Sequence, residues 1–187
     1  RQQAPLGLGH AVWCARDIVG DEPFALLLPD MLHHGERACL ADMIDSYNTH
    51  GGNHIAVSPV PEDQTHLYGI VGVTDRKAKV SPITEMVEKP PRGTAPSNLH
   101  ITGRYILQPE IFELLAEQER GAGGEIQVTD AMIRLQQELH QPFFAVRFDG
   151  RIFDCGSKVG FLMANFAYAL ARDDLAPALR AELRKLT

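Results

Sequence analysis

The chain has 187 residues, of which 44% are hydrophobic, and a formal net charge of −6 at pH 7. This length is sufficient for one domain with a sizeable core and too short for two complete domains. The negative charge, without any cluster of Lys and Arg, argues against a nucleic-acid or anionic-membrane surface. No apolar run is long enough to cross a membrane, and three widely spaced cysteines predict neither a disulfide framework nor a zinc site. A reducing cytoplasm is therefore the expected location.

The first third of the chain predicts alternating helices and strands. A helix is expected over residues 7–19, followed by a strand over 24–28 that stops at Pro29. Because this apolar run shows no alternation, we expect a strand covered on both faces in the middle of a parallel sheet. A second helix over 36–50 leads to a strand at 55–57, which predicts a right-handed βαβ crossover with the two strands paired in parallel.

The remaining chain changes first to short β runs and then to helices. The runs at 69–73, 83–87 and 100–107, separated by turn residues, predict a β-rich cap or lid. Helices follow at Pro109 and near Thr129, separated by a glycine-rich loop at 121–124. After strands at 143–148 and 152–154, two helices close the chain. The first is predicted to be an amphipathic helix, marked by Val159, Leu162, Met163, Phe166 and Leu170.

Two carboxylates follow short apolar runs in the same way. Asp30 comes after Leu28-Pro29, and Asp154 comes after Ile152-Phe153. Aspartates at adjacent strand ends could share one Mg²⁺ and leave octahedral positions for phosphate oxygens and water. Two alternatives stay open at this point: Asp30 is a solvated loop acid, and Asp154 caps the helix that follows.

Glu88 and Lys89 end a predicted strand immediately before Pro90. Strand alternation places Glu88 on the opposite face from Lys89. A carboxylate can accept two sugar hydroxyls, and an ammonium can hold a phosphate as a point charge. On spacing alone, an exposed ion pair on an edge strand is the favoured alternative.

Several other polar residues predict structure rather than chemistry. We expect a structural hydrogen bond at His10, a solvated loop at His33-His34, and helix capping by Thr129-Asp130. Cys155 has no base nearby that would make it a nucleophile. Lys158 stays open as a phosphate contact.

A series of short motifs in one order closely resembles a known family. The motifs are Arg1-Gln2, Pro5-Leu6-Gly7-Leu8-Gly9-His10-Ala11, Leu27-Leu28-Pro29-Asp30, Tyr68-Gly69, Val87-Glu88-Lys89-Pro90, Pro96-Ser97-Asn98-Leu99, Gly103-Arg104-Tyr105, Gly124-Glu125-Ile126-Gln127-Val128-Thr129-Asp130-Ala131 and Phe153-Asp154-Cys155-Gly156-Ser157-Lys158. Each is weak alone, since Gly7-x-Gly9 is only a flexible turn. Together they resemble the bacterial UTP–glucose-1-phosphate uridylyltransferases, which are sugar nucleotidyltransferases, as far as Leu170.

The resemblance implies an α/β fold, with a Rossmann-like mixed sheet of the nucleotidyltransferase type flanked by helices and a β-rich sugar-binding portion. It implies an enzyme that forms UDP-glucose and pyrophosphate from UTP and α-D-glucose 1-phosphate. The expected reaction is a Mg²⁺-assisted in-line attack of the sugar phosphate on the α-phosphorus of UTP, which needs alignment more than proton transfer. A homo-oligomer, dimer or tetramer, is also expected.

The resemblance further implies three groups of site residues, for the base, the metal and the sugar phosphate. They are Gln2 and Gly7 at the uracil edge, Asp30 and Asp154 as Mg²⁺ ligands, and Gly69, Glu88 and Lys89 for the glucose, its hydroxyls and its phosphate. Asp30, Lys89 and Asp154 are the residues expected to act in catalysis.

The beginning of the chain departs from the family pattern. Family members start with a strand and a glycine-rich loop whose Arg and Lys cradle the triphosphate, and neither precedes Arg1. We therefore expect residues 1–187 to form a single, N-terminally truncated nucleotidyltransferase domain that lacks its first βα unit and turns over poorly alone. The alternatives are a related sugar-1-phosphate nucleotidyltransferase with another base or hexose, or a non-catalytic UDP-sugar-binding fragment.

Overall fold

The computed structural model describes residues 1–117, 119–121 and 124–186. Helices and strands alternate in the first part of the chain, and a β-rich middle part is followed by helices. In chain order the elements are α1 (Leu8–Trp13), α2 (Arg16–Val19), β1 (Phe24–Leu27), β2 (Met31–His34), α3 (Cys39–His50), β3 (Asn53–Pro59), a 3₁₀ helix (Glu62–Leu67), β4 (Gly69–Val73), β5 (Val80–Glu88), β6 (Leu99–Leu107), α4 (Ile111–Ala116), α5 (Val128–Gln137), β7 (Phe143–Arg147), β8 (Arg151–Asp154), α6 (Lys158–Leu170) and α7 (Ala176–Leu186).

Six strands form one mixed sheet in the order β1-β6-β3-β7-β5-β4, and β2 and β8 form a separate ribbon. β3 and β7 pair in parallel, whereas β6 is antiparallel to β1, β3 and β4. The predicted mixed α/β sheet is therefore confirmed. The predicted cap is wrong in one respect: β4, β5 and β6 belong to this main sheet, because β6 pairs with β3 along most of its length.

β1 occupies a different position from the one predicted. It is antiparallel to β6, with Leu27 opposite Arg104, and β6 separates it from β3. The predicted direct parallel pairing of 24–28 with 55–57 is therefore wrong. Burial alternates along β1, and Leu27 remains 45% exposed, so the strand is not covered on both faces by the described residues. β6 begins about 75 residues after β1 in the chain, so the local apolar run at β1 does not reveal this pairing.

The two faces of the sheet pack against different helices. Alternation in β3 directs Ile55 and Val57 toward one face and Ala56 toward the other. The first face carries the larger cluster, which includes Met132 of α5, and the second carries the smaller cluster around Met43 of α3. The sheet is thus the middle layer between helices, as its buried apolar strands require.

α1, α2, α3 and α6 correspond to helices predicted from the sequence. α3 ends at Gly51, whose φ of 63° suits a glycine at this position. The predicted helix over 7–19 is interrupted between α1 and α2. The helix predicted from Val159 to Leu170 is present as α6, in which Val159, Leu162 and Met163 are exposed and Ala164 is buried. α6 packs against the β2–β8 ribbon.

Two further observations concern the predicted loop and the helices. Residues 122 and 123 of the predicted glycine-rich loop lie outside the described residues. Within the described part of the chain, no helix combines the length and apolarity needed to cross a membrane.

His54 is a buried titratable group in β3. Its Nε2 lies 2.9 Å from Ser46 Oγ, and its ring stacks on Phe144 at 5.2 Å between centroids. Burial, with a smaller effect of the charge on His50, lowers the pKa of His54 to about 4. The unfolded chain gains this proton near pH 6.5 and the folded chain only near pH 4. The unfolded state therefore binds more protons in this range, and stability falls as the pH decreases through it.

We predict that His54 makes the protein about 2 kcal/mol less stable at pH 5 than at pH 7. Urea denaturation at both pH values measures this loss, which His54→Gln should reduce by a similar amount because glutamine does not titrate. The exposed His140, replaced by Asn, is the control and should leave the loss unchanged. An equal loss in wild type and His54→Gln would contradict the prediction.

Candidate active site

The candidate site lies at a gap in the pairing of β6. One edge of β6 pairs with β3, while the other pairs with β4 through Leu99 and His100 and with β1 from Arg104 onward. Between these two partners no described strand pairs with this edge of β6 at Ile101 and Thr102, which we call the open edge, and Gly103 O accepts from Leu28 N. The ends of β1 and β4 therefore flank one notch in the sheet, and both carry predicted site residues.

Gly103 and Arg104 hold the end of β1 against this notch. Leu28 N donates to Gly103 O at 2.9 Å, and Arg104 Nη1 donates to Leu28 O at 2.7 Å. Gly103 has a φ of 75°, and a Cβ there would lie 3.0 Å from the Leu28 side chain. Only glycine allows this approach without strain. Arg104 thus anchors the turn that carries Asp30. From the sequence, Arg104 stood out only as part of a motif.

The β2–β8 ribbon brings the two aspartates together. Met31 pairs with Asp154, and Cys155 N donates to Asp30 O at 2.8 Å. A Cβ at Gly156 would lie 3.0 Å from Asp154 Oδ1 and 3.8 Å from Asp30 Oδ2. Both exposed carboxylates therefore face the space above Gly156, and a larger residue there would fill it.

The alternative in which Asp154 caps α6 is not what the structure contains. Ser157 is the N-cap, and its Oγ accepts from Gly160 N at 3.0 Å. Asp154 Oδ1 accepts instead from Gly156 N at 2.9 Å, which fixes the carboxylate beside Asp30. Lys158 begins α6, one residue beyond this cap.

The paired aspartates fit a Mg²⁺ ion that takes its remaining ligands from substrate and water. Such an ion would take one or two carboxylates from the protein and fill its other positions with phosphate oxygens and water. In the ranges that the structure describes, no group of three or more His, Cys, Asp or Glu side chains could form an all-protein metal site. Any metal held here would depend on non-protein ligands.

Glu88 lies on the other side of the notch, opposite Gly69 in the β4–β5 pairing. Its Oε2 accepts from Thr129 Oγ1 at 2.9 Å and lies 3.1 Å from where a Cβ on Gly69 would be. The Glu88 side chain is only 15% exposed. Ile101 of β6 borders the same position, also at 3.1 Å, which places Glu88 next to the open edge.

Lys89 turns toward Glu88, contrary to the prediction from strand alternation. Its φ is 45°, in the left-handed region, and its N donates to Tyr68 O at 3.1 Å. The alternation rule requires extended backbone, so it ends at Glu88. As a result, Lys89 Nζ lies 3.8 Å from Glu88 Oε1 on the same side. This separation exceeds hydrogen-bond length, so the ammonium keeps its donors for other partners.

Thr129 was missed as a site residue. The predicted capping of α5 by Thr129 is wrong, because Gln127 is the N-cap residue and the Thr129 hydroxyl donates to Glu88. Asp130 does lie in the first turn, and burial raises its pKa. A Thr near a helix start is a capping signal in any sequence, so only the tertiary contact identifies its partner.

Gln2 and Gly7 form a third group, near the start of the chain. Gln2 Nε2 donates to Gly7 O and to His10 Nδ1, each at 3.1 Å, which confirms a structural hydrogen bond at His10. Both amide hydrogens are therefore used, and Oε1 is left as an acceptor. Gly7 has a φ of 109°, and a Cβ there would meet Ile126 O at 2.6 Å. Backbone hydrogen bonds join this segment to Ile126, two residues before α5.

His33 and His34 do not form the predicted solvated loop. They belong to β2, where His33 Nε2 lies 3.0 Å from Thr102 Oγ1 and His34 packs against Tyr168. Burial and the charge of Arg104 lower the pKa of His33 to about 4, so this imidazole is neutral near pH 7. The short strand escaped detection because it follows β1 after only three residues.

The chain belongs to the nucleotidyl transferase family, whose model matches residues 1–169. The resemblance stated from the sequence motifs is thereby confirmed at the level of the family. Among curated proteins, the chain is 46% identical over 99% of its length to the UTP–glucose-1-phosphate uridylyltransferase of Bacillus subtilis (strain 168). It spans 64% of the length of that relative.

Solved structures with the same fold include proteins with bound nucleotides. A UTP-bound UGPase from Acinetobacter baumannii matches with a TM-score of 0.89 and 41% identity over 100% of this chain and 65% of its own. A UDP-glucose pyrophosphorylase complexed with UDP-glucose matches with a TM-score of 0.84 and 37% identity, covering 92% of this chain and 65% of its own. These likenesses confirm the nucleotidyltransferase-type fold.

We predict that Gly7→Ala costs at least about 2 kcal/mol of folding stability, because the new Cβ meets backbone and the φ is unfavourable. Gly93→Ala is the matched control, since Gly93 also has a positive φ, 79°, but no atom lies within 4 Å of a Cβ there. Urea denaturation should show a clearly larger loss for Gly7→Ala. Equal losses would mean that the contact with Ile126 does not constrain this turn.

Proposed function

We propose that this chain carries the metal, sugar-phosphate and base-reading parts of a UTP–glucose-1-phosphate uridylyltransferase. The observation that carries the proposal is the notch beside β6, which has paired aspartates on one side and Glu88 with Lys89 on the other. The names of the relatives and the nucleotides bound in two structural neighbours support it. Because the chain spans 64% of its Bacillus relative, turnover is proposed for the complete protein.

The sugar phosphate would bind beside β5. The Lys89 ammonium, which makes no hydrogen bond within the described residues, would hold the phosphate of glucose 1-phosphate, and Glu88 would accept glucose hydroxyls. Gly69 leaves room for the Glu88 carboxylate and for a close approach of the sugar. A phosphate monoester is already anionic at neutral pH, so these residues need only align it with the α-phosphorus of UTP.

Asp30 and Asp154 would hold Mg²⁺, whose charge, when bound, offsets the negative charge of the phosphate oxygens. The protein's own contribution is to fix both carboxylates before the ion arrives. It does so through the Cys155 N–Asp30 O hydrogen bond and the Gly156 N–Asp154 Oδ1 hydrogen bond. Preorganised charge of this kind needs little rearrangement during reaction.

The orientation of Gln2 supports recognition of uracil. With both amide hydrogens donated to Gly7 O and His10 Nδ1, Gln2 Oε1 accepts. Uracil presents an N3–H donor to such an acceptor, whereas cytosine presents an unprotonated nitrogen at the same position, so two acceptors would face each other. An unpaired buried acceptor is costly, which disfavours the wrong base.

We further propose a single nucleotidyltransferase domain over residues 1–187, in a homo-oligomeric cytoplasmic protein. Three free cysteines support a reducing compartment. The exposed apolar side chains of Val159, Leu162 and Met163 on α6 are the proposed contact surface between copies.

We predict that Mg²⁺ strengthens UTP binding by this chain and that Asp30→Asn or Asp154→Asn removes most of this gain, about tenfold or more. Calorimetric titrations with and without Mg²⁺ measure the gain for each variant. Asp21→Asn, which changes an exposed acid away from the notch, should retain it. Because both site aspartates are exposed, both variants should fold. If either variant unfolds, the replaced aspartate has a structural role instead.

We predict that the full-length protein carrying this chain releases pyrophosphate from UTP only when glucose 1-phosphate and Mg²⁺ are both present. Lys89→Met should reduce this rate by at least about 100-fold, because the phosphate loses its cation. A coupled pyrophosphate assay gives the rates. Equal rates with dTTP would indicate a related sugar nucleotidyltransferase, and UDP-glucose binding without turnover would indicate a binding protein.

A further inference from the structure

The Glu88 carboxylate is held by a residue that belongs to a different element of the fold. Thr129, in the first turn of α5, donates its hydroxyl to Glu88 Oε2 at 2.9 Å. We infer that Thr129 is a positioning residue that orients Glu88 for sugar binding, which rests on the proposed function. Its role would be to fix one carboxylate oxygen so that the other meets the ligand.

Burial makes this hydrogen bond stronger than one between surface groups. Thr129 is 5% exposed and the Glu88 side chain 15% exposed. A hydroxyl that donates to an ionised carboxylate forms a charge-assisted hydrogen bond, roughly twice as strong as a neutral one. Limited access to water also removes the competing donors that would otherwise solvate Oε2.

The two oxygens of Glu88 have different surroundings. Oε2 accepts from the Thr129 hydroxyl and lies 3.1 Å from the position that a Cβ on Gly69 would occupy. Oε1 is directed toward Lys89, with 3.8 Å between Oε1 and Nζ. Because Thr129 binds Oε2, the side chain is prevented from rotating its carboxylate. Oε1 is then left beside the ammonium proposed to hold the sugar phosphate.

Thr129 is itself held rigidly. The neighbouring α5 residues Val128, Ala131, Met132 and Leu135 are buried in the larger core cluster, so the first turn of the helix has a fixed position. The Thr129 hydroxyl makes no capping bond to its own helix, whose N-cap residue is Gln127. The hydroxyl therefore links α5 to β5 and does not cap the helix.

The test compares Thr129→Val, which removes the hydroxyl at nearly constant volume, with Thr129→Ser, which keeps it. Calorimetry on the full chain measures the Kd for UDP-glucose and for UTP. Thr129→Val should weaken UDP-glucose binding about tenfold and leave UTP binding within about twofold, since UTP has no glucose to reach Glu88. Thr129→Ser should restore UDP-glucose affinity. Equal UDP-glucose affinity in wild type and Thr129→Val would overturn the inference.

Two controls separate positioning from general destabilisation. Thr49→Val removes a helical threonine hydroxyl that donates to Asp45 O in α3, and should leave both affinities unchanged. In a Glu88→Gln background, Thr129→Val should cause less further loss than in wild type, because the two residues act through one hydrogen bond. Additive losses would contradict the inference.

The remaining outcomes are also decisive. If wild type binds UTP but not UDP-glucose, the proposed function fails with the inference. If wild type binds UDP-glucose and Thr129→Val binds it equally well, only the inference fails. If neither Thr129→Val nor Thr129→Ala folds, Thr129 is a structural residue and the inference is overturned.

Discussion

The open edge of β6 is the constraint on which the site depends. A strand has two hydrogen-bonding edges, and β6 uses one for β3 while β4 and β1 share the other. Since the two partners do not meet, no described strand pairs with this edge at Ile101 and Thr102. The proposed ligand-binding residues lie where the chain leaves β1 and where β5 ends beside β4. The notch is thus a direct consequence of strand pairing.

Backbone geometry brings the candidate site residues close to this notch. Gly103 permits Leu28 to approach, and Gly69 leaves space beside Glu88. Lys89 adopts a left-handed conformation that few non-glycine residues tolerate, and this places its ammonium on the same side as Glu88. The packing of strands and turns, more than side-chain length, therefore determines which of these side chains lie close to each other.

Connections between elements link the three parts of the site. The first segment of the chain is joined by backbone hydrogen bonds to Ile126, and α5, which begins two residues later, carries Thr129 to Glu88. Arg104 binds the carbonyl of Leu28 before the turn to Asp30. The groups proposed to read the base and to bind the sugar and the metal are therefore positioned by contacts around β6.

The sequence by itself determined the class of fold and most element positions, because these depend on local apolar runs, on turn residues and on motifs in a fixed order. It identified Asp30, Asp154, Glu88 and Lys89 as residues with a shared chemistry. The tertiary structure alone decided that β6 separates β1 from β3, that Val159, Leu162 and Met163 of α6 are exposed, and that Thr129 binds Glu88. Each of these depends on partners distant in the chain, and a local pattern carries no information about such partners.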